Sequence, residues 1–537
     1  MTRNIIRQLT AITVTLTAIA VFSRCTDEDF SSKYPDPSKI SNPTCDKFMT
    51  GVFNASRGFT GPAHDGFNWG HRIGVFAQTF GTPNSSPYSF DSYGSKPEDR
   101  WNAFYSSLIN FRALENLYSK MDASEKAEND LFLWAAKIFI YHQLSEILVI
   151  WGDAPFTQAS TLLITGNIKE STPKYDTQKE LFTLILADLK TLSDNLRTAT
   201  LSDAAKGKMT AQDYINGGNV LKWRMYANSL RLRLGMLLSS HGDLQNEGKA
   251  AVAEILGNEA IYPLPSDNSN MIAYFSRGTG DLRFEDLGKN DESRILGWAS
   301  HAHVSRMVAD GDPRLPVMYD PQAGTADVYV GFDPSVPFNN ATDGMTSSVK
   351  TKYSRIDSAS FIQKNEGIPA VLFSATEIWL LKAEAYQRSI VSGNAEEAFK
   401  KAVDQSVKFY YTINASSTVK NPIPLPEPSV IDAFVNARWN AYPSKEEAIA
   451  TQKWLHLGFL QQLEAWTELR RTGLPRLFYS IDQGATSSVS RSVPNRLRYP
   501  DSERTYNEAN CPRIENDKFE TVLLWANPDW HDEGVVR

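Results

Sequence analysis

Cysteine is scarce: Cys25, Cys45 and Cys511 are the only three in 537 residues. That excludes a disulfide-stapled scaffold, and their spacing matches no zinc-binding pattern. Whether Cys45 and Cys511 pair is left open by the sequence. A basic block is also missing. Lysine and arginine total 55 against 62 acids, a net charge of -7, so nucleic acid is not an expected partner. There is no HExxH, no phosphate-cradling glycine loop and no nucleophile elbow. The carboxylates have no distinguishing context, so no catalytic residue is assigned and an enzyme is not expected. Beyond residue 24 no stretch reads as long and apolar enough to cross a bilayer, which takes about 20 residues. His301-Ala302-His303 lacks an evident third ligand, so neither a metal nor a cofactor is expected. Asp310 and Asp312 could serve calcium through their oxygens, but an aspartate–glycine turn at Gly311 explains them more simply.

What the chain does have is apolar and aromatic content. Hydrophobic residues make up 42%, enough for a large core, and there are 12 Trp, 21 Tyr and 27 Phe. Length alone suggests about three domains. Arg3 and Arg7 precede an uncharged apolar run from Leu9 to Phe22. The run is short for a membrane span and suits a signal peptide, so residues 1–24 are set apart from the fold. Cys25 follows directly, and Ser31 to Thr44, rich in Ser, Pro, Asp and Asn, reads as a tether to a body spanning 45–537.

Helical periodicity dominates that body. Helices are expected at Asp46–Phe59, around His71–Thr79, and at Trp101–Met121, Glu125–Trp151, Asp176–Leu196, Gly218–Ser240 and Leu244–Leu256. From Ala260 to Val371 the signal fades into a loop-rich insertion, with β-prone runs at Asp327–Phe332 and Tyr353–Ile362. Helices return at Val430–Ala437 and Lys445–Leu477. Between these regions lies Ala375–Tyr410, read as two antiparallel helices. Trp379, Ala383, Tyr386 and Ile390 form one stripe; Gly393 suits the first helix end, Asn394 the next N-cap and Glu397 a capping-box acid. The pair resembles a tetratricopeptide unit, which buries its apolar face only against stacked neighbours. The fold class expected is mainly α: a platform of tetratricopeptide-like helix pairs with an insertion (about 260–371) holding a few short strands.

Cys25 and the acidic run Thr26-Asp27-Glu28-Asp29 resemble the acylation site and tag of surface-exposed Bacteroidetes lipoproteins, although Arg24 stands where a small residue is usual. Ordinary secretion with a free Cys25 thiol is the alternative. Six further stretches, in order, resemble the SusD/RagB family of nutrient-binding outer-membrane lipoproteins, and its SusD-like type 2 subgroup most. They are LSEILVIWGDAPFTQA (Leu144–Ala159), LKWRMYANSLRLRLGMLL (Leu221–Leu238), Asp312-Pro313-Arg314-Leu315, the Glu377–Ala385 helix, Gln452-Lys453-Trp454 with EAWTELRRTGLP (Glu464–Pro475), and VPNRLRYPDSERTYN (Val493–Asn507). Trp151 and Ala154 replace the family's usual Tyr and Ile. The resemblance implies a lipid-anchored, surface-exposed binding protein. It would sit over a SusC-like TonB-dependent transporter and hand on an oligosaccharide, or else a peptide.

The shared motifs read as structural on physical grounds. Arg231 and Arg233 could pair with acids such as Glu384 or stand separately solvated, and Arg470-Arg471 are expected to close a helix before Gly473. Recognition falls instead to the variable loops. Sugars offer apolar C–H faces to aromatic rings and hydroxyls to polar side chains. Asp65, Phe67, Asn68, Trp69 and Arg72 supply both kinds within one short stretch, and Tyr88 and Tyr93 extend it. The resemblance implies ligand contacts from mid-chain loops as well, where Tyr274, Arg277 and Trp298 are the candidates. Two other classes compete. A glycan-cleaving enzyme needs two carboxyls about 5–9.5 Å apart beside a cleft. A purely protein-binding scaffold would bury its loop aromatics.

Overall fold

Asp122 opens the longest helix among the described residues. Its carboxylate accepts from the backbone N–H of Ser124 and Glu125 while Glu125 reaches back to its own N–H, a capping box. In the computed structural model, which describes residues 43–57, 73–81, 90–91, 96–274, 298–332, 352–362, 368–417, 422–479, 489–490, 493–513 and 515–530, the helix runs from Ala123 to Trp151. It qualifies by length and composition as a membrane span, contrary to the sequence expectation, but 78% of its apolar window is buried inside the fold. It is therefore read as the core helix of a globular body. The stripe Leu131, Ala135, Ile138, His142 and Ser145 is buried as its spacing predicts.

The architecture is mostly helical, as expected. Numbering the helices of ten or more residues, α1 (Cys45–Ala55) packs on α2 (Lys96–Ser119) and on α3 (Ala123–Trp151). Next come α4 (Gln178–Thr198), α5 (Asp203–Gln212), α6 (Val220–Leu238) and α7 (Gln245–Gly257). Central to these is α6, which touches α3, α4, α7 and also α9 (Ala375–Gln387). It is buried almost all round, from Trp223 and Tyr226 to Leu238. The pair α9 and α10 (Ala395–Ala415) forms as predicted, followed by α11 (Pro428–Arg438), α12 (Lys445–Leu457) and α13 (Gln462–Thr472).

Several local expectations are corrected. Lys445–Leu477 is not one helix: Gly458, at φ +46°, breaks it into α12 and α13, a conformation that side chains rarely adopt. The cap of α10 is Asn394, which accepts from the Glu397 N–H at 3.0 Å, but Glu397 pairs with Lys401 rather than completing a box. Gly393 does not end α9, which stops at Gln387; a Cβ on Gly393 would lie 2.4 Å from the Tyr386 ring. The buried face of α9 is carried by Ile378, Leu381, Ala385 and their neighbours, while Trp379 and Tyr386 lie at its half-exposed edge. Helix α5, capped by Ser202, was not foreseen.

The insertion carries short strands and a helix, α8 (His301–Asp310), between them. One small sheet joins, in order, β1 (Phe80–Gly81), β4 (Trp298–Ala299), β6 (Arg355–Ile356) and β5 (Tyr319–Asp320). Two further antiparallel pairs link β2 (Phe90–Asp91) to β8 (Val489–Ser490) and β3 (Ile272–Tyr274) to β7 (Ala370–Phe373). The run Asp327–Phe332 supplies only an isolated bridge at Phe332, and the Tyr353–Ile362 run is a strand followed by a π-helical turn. Cys45 and Cys511 are separate buried thiols.

Candidate functional site

Strands that flank the two stretches singled out for recognition pair with each other. β1 follows the first stretch by a few residues and pairs antiparallel with β4, which begins at the end of the second: Phe80 faces Ala299, and Gly81 faces Trp298. The backbone between the first stretch and β1 is held from several sides. The Trp454 indole donates to the Ala77 carbonyl at 2.7 Å, the Tyr479 hydroxyl to that of Phe76 at 2.6 Å, and the Ser300 hydroxyl to that of Gln78. The Phe76 ring lies 5.3 Å from that of Trp466 on α13.

Of the predicted contacts, Asp65, Phe67, Asn68, Trp69, Arg72, Tyr88, Tyr93 and Arg277 lie outside the described residues, as does Cys25. The backbone of Tyr274 is in β3, but its side chain is not described. Trp298 is 2% exposed. Its ring packs edge-on against Tyr353 with the Arg355 guanidinium 5.4 Å away, so it presents no open stacking face and belongs to the support of the sheet. The histidine pair separates as helical spacing requires: His301 is exposed, while His303 is buried and bonded to the Tyr319 hydroxyl at 2.8 Å. Asp310 binds Arg438 and the Tyr442 hydroxyl, and Asp312 binds Arg314, so neither presents a free carboxylate to calcium.

A cluster of ionisable groups, which sequence reasoning placed differently, fills the platform's centre. Arg233 does not pair with Glu384. It donates twice to Glu377, at 2.6 and 2.7 Å, and its Nη1 lies 3.2 Å from His142 Nε2 and 3.4 Å from Glu464 Oε1. Arg231 pairs with Glu254. Glu384 instead accepts two bonds from Arg471, at 2.7 and 2.6 Å, and one from Arg388 at 3.0 Å. Arg100 on α2 pairs with Glu146. Burial alone would raise the Glu384 carboxyl, but Arg471, Lys453 and Arg388 hold it down to about 2. Glu464 goes the other way. Burial pushes it up to about 7; Arg233 opposes this, and Glu146 and Glu377 add to it. His142 is pushed below its ordinary value by burial and by the charges of Arg233 and Arg100.

The ligand atoms of His142, Glu146 and Glu464 lie within 4.8 Å of one another. Arg233 already brings its positive charge against His142 and Glu464, so the trio is not assigned as a metal site. The cavity among these groups measures about 40 Å³, room for a few water molecules but not for a sugar ring. Its four carboxylates, those of Glu146, Glu377, Glu464 and Glu468, therefore do not make a glycosidase cleft. A wider cleft of about 310 Å³ lies beyond Lys453, lined by groups such as Ser240, His241, Arg388 and Glu446, and among the described residues no Phe, Tyr or Trp lines it.

Against known proteins, a SusD-like family model described as "Starch-binding associating with outer membrane" matches residues 68–500. No curated protein matches the sequence. Among solved structures, a chitin-binding protein is 23% identical with a TM-score of 0.70, covering 90% of this chain and 100% of its own. A SusD homologue from Bacteroides fragilis is 22% identical, also with a TM-score of 0.70 and the same coverage of 90% and 100%. A chitin-binding SusD homologue from Flavobacterium johnsoniae is 19% identical with a TM-score of 0.67, covering 89% of this chain and 98% of its own. At these identities the structural likeness establishes the fold.

Proposed function

Since the chain belongs to the SusD-like family of outer-membrane-associated nutrient-binding proteins, we propose that it captures an oligosaccharide at the cell surface and passes it to a SusC-like TonB-dependent transporter. Acylation at Cys25 would hold it there, with residues 25–44 as the tether. The observation that carries this reading is the β1–β4 pairing, which fixes the flanks of two aromatic, polar-rich stretches side by side on a rigid helical platform. Rings at Phe67, Trp69, Tyr88 and Tyr93 would stack on sugar faces, and Asp65, Asn68, Arg72 and Arg277 would bond the hydroxyls. Tyr274 belongs with the rings, whereas Trp298 supports the sheet from below.

Two of the similar structures are named chitin-binding, which makes chito-oligosaccharides the first ligands to try, with starch oligosaccharides beside them. Calorimetry on the mature protein lacking residues 1–25 is expected to give heat with one of these series and none with mixed peptides. Binding of peptides alone would overturn the glycan assignment. Purification from native membranes is expected to bring down a TonB-dependent transporter, and Cys25→Ala to release the protein from the membrane fraction.

A further inference from the structure

Helices α3, α6, α9, α12 and α13 converge on a carboxyl group whose one cation, Arg233, is shared with a closer acid. Glu464, in the first turn of α13, shares its cavity with His142 and Glu146 of α3, Arg233 of α6, Glu377 of α9 and Lys453 of α12, with Glu468 one turn along its own helix. The cations there are already engaged. Arg233 is turned onto Glu377 through two bonds of 2.6 and 2.7 Å, and Arg100 is on Glu146. Lys453 lies 3.0 Å from Glu468, which together with Glu384 also holds Arg471. Among the described side chains, the one cation contact left to Glu464 is a long one, 3.4 Å to Arg233 Nη1. Three carboxylates, Glu146, Glu377 and Glu464, thus share two guanidiniums. His142 does not supply the missing positive charge: its Nδ1 is bonded to the Tyr226 hydroxyl at 2.6 Å and its Nε2 faces Arg233.

We infer that Glu464 is a proton-operated joint of the platform. Carrying its proton, it lets α13 seat against α3, α6 and α9; losing it places a third negative charge beside Glu146 and Glu377 and weakens that seat. The consequence reaches the ligand side. Two residues along α13, Trp466 packs on Phe76, in the segment that leads from the aromatic stretch into β1. Arg470, on the same helix, donates to the Val149 carbonyl at 2.6 Å and that of Asn495 at 2.9 Å, tying α13 to the end of α3. The joint therefore lies beneath the support of the proposed binding edge, whichever nutrient is bound there.

The sign follows from proton linkage. A carboxyl whose folded value is raised to about 7 from 4.5 favours the folded state fully in acid and loses that contribution as pH rises through neutrality. Urea unfolding of the full mature protein and of Glu464→Gln, at pH 5.5 and 8.5, isolates the group from every other titration. The unfolding constant of the wild type relative to the variant is expected to rise about 30-fold between the two pH values. An unchanged ratio overturns the proposal. Should the variant fail to fold, infrared spectra of wild-type protein labelled with ¹³C at the glutamate carboxyl decide the matter. A protonated glutamic-acid band of about one group per chain at pH 6.5, gone by pH 8.5, supports the joint, and no such band at pH 6.5 overturns it.

Discussion

Arg314→Met is expected to lower the stability of the body by about 3–5 kcal/mol, the usual cost of breaking a buried ion pair by removing one partner. Arg314 and Asp312 both have side chains at 0% exposure. The guanidinium donates to Asp312 Oδ1 at 2.9 Å, to the Ser406 hydroxyl at 2.7 Å and to Gln452 Oε1 at 2.8 Å, tying the chain after α8 to α10 and α12. Methionine fills a similar volume, so the loss comes from stranding the Asp312 carboxylate rather than from a void. The double variant Asp312→Leu/Arg314→Met tests that cause, because an apolar replacement of both partners removes the stranded charge. It is expected to recover most of the loss. Urea midpoints of the wild type and the two variants give the comparison, and a double variant as unstable as Arg314→Met would refute the explanation.

Trp466→Ala is expected to cost a similar 3–5 kcal/mol or so, here through a cavity. Trp466 is fully buried, its ring 5.3 Å from Phe76 and beneath the Arg470 guanidinium at 3.5 Å. Truncation removes the packing of Phe76 and takes from Arg470 the nearer of its two aromatic partners, leaving Trp525 at 4.8 Å. Because Phe76 precedes β1, the variant is also expected to lose amide-exchange protection in residues 73–81 beyond its global destabilisation. Trp134→Ala, at a half-exposed position of α3, is the control with a clearly smaller effect.

The difference between Trp134 and Trp466 also shows what the sequence could convey. Periodicity located the helices because a buried stripe repeats every three to four residues, and α3, α4, α6, α9 and α10 were found within a few residues of their ends. It merged α12 with α13 because the apolar pattern runs on through Gly458, whose positive φ leaves no mark on hydrophobic spacing. It passed over α5, whose stripe is little more than Ala205 and Met209. Ion-pair partners were the least legible. Arg233 and Glu377 are 144 positions apart, and Glu384 was as plausible an acid as Glu377 until the helices were placed. Glu464, with only a share of Arg233, had no signal at all, since its state depends on which cations its neighbours had already taken. Trp298 looked like a sugar platform for the same reason any loop tryptophan does; burial under Tyr353 and Arg355 is a tertiary property. The pairing of β1 with β4 beside the two recognition stretches likewise needed the fold, because strands of two residues carry no alternation to read.

Calorimetric titration of wild-type protein and Trp69→Ala with the chito- or starch oligosaccharide that binds best tests the central claim most directly. The account predicts saturable binding by the wild type and at least about a tenfold loss of affinity in the variant, roughly 1.4 kcal/mol for a stacking ring. Identical affinities in the two proteins would contradict it and place the ligand somewhere other than the edge held by β1 and β4.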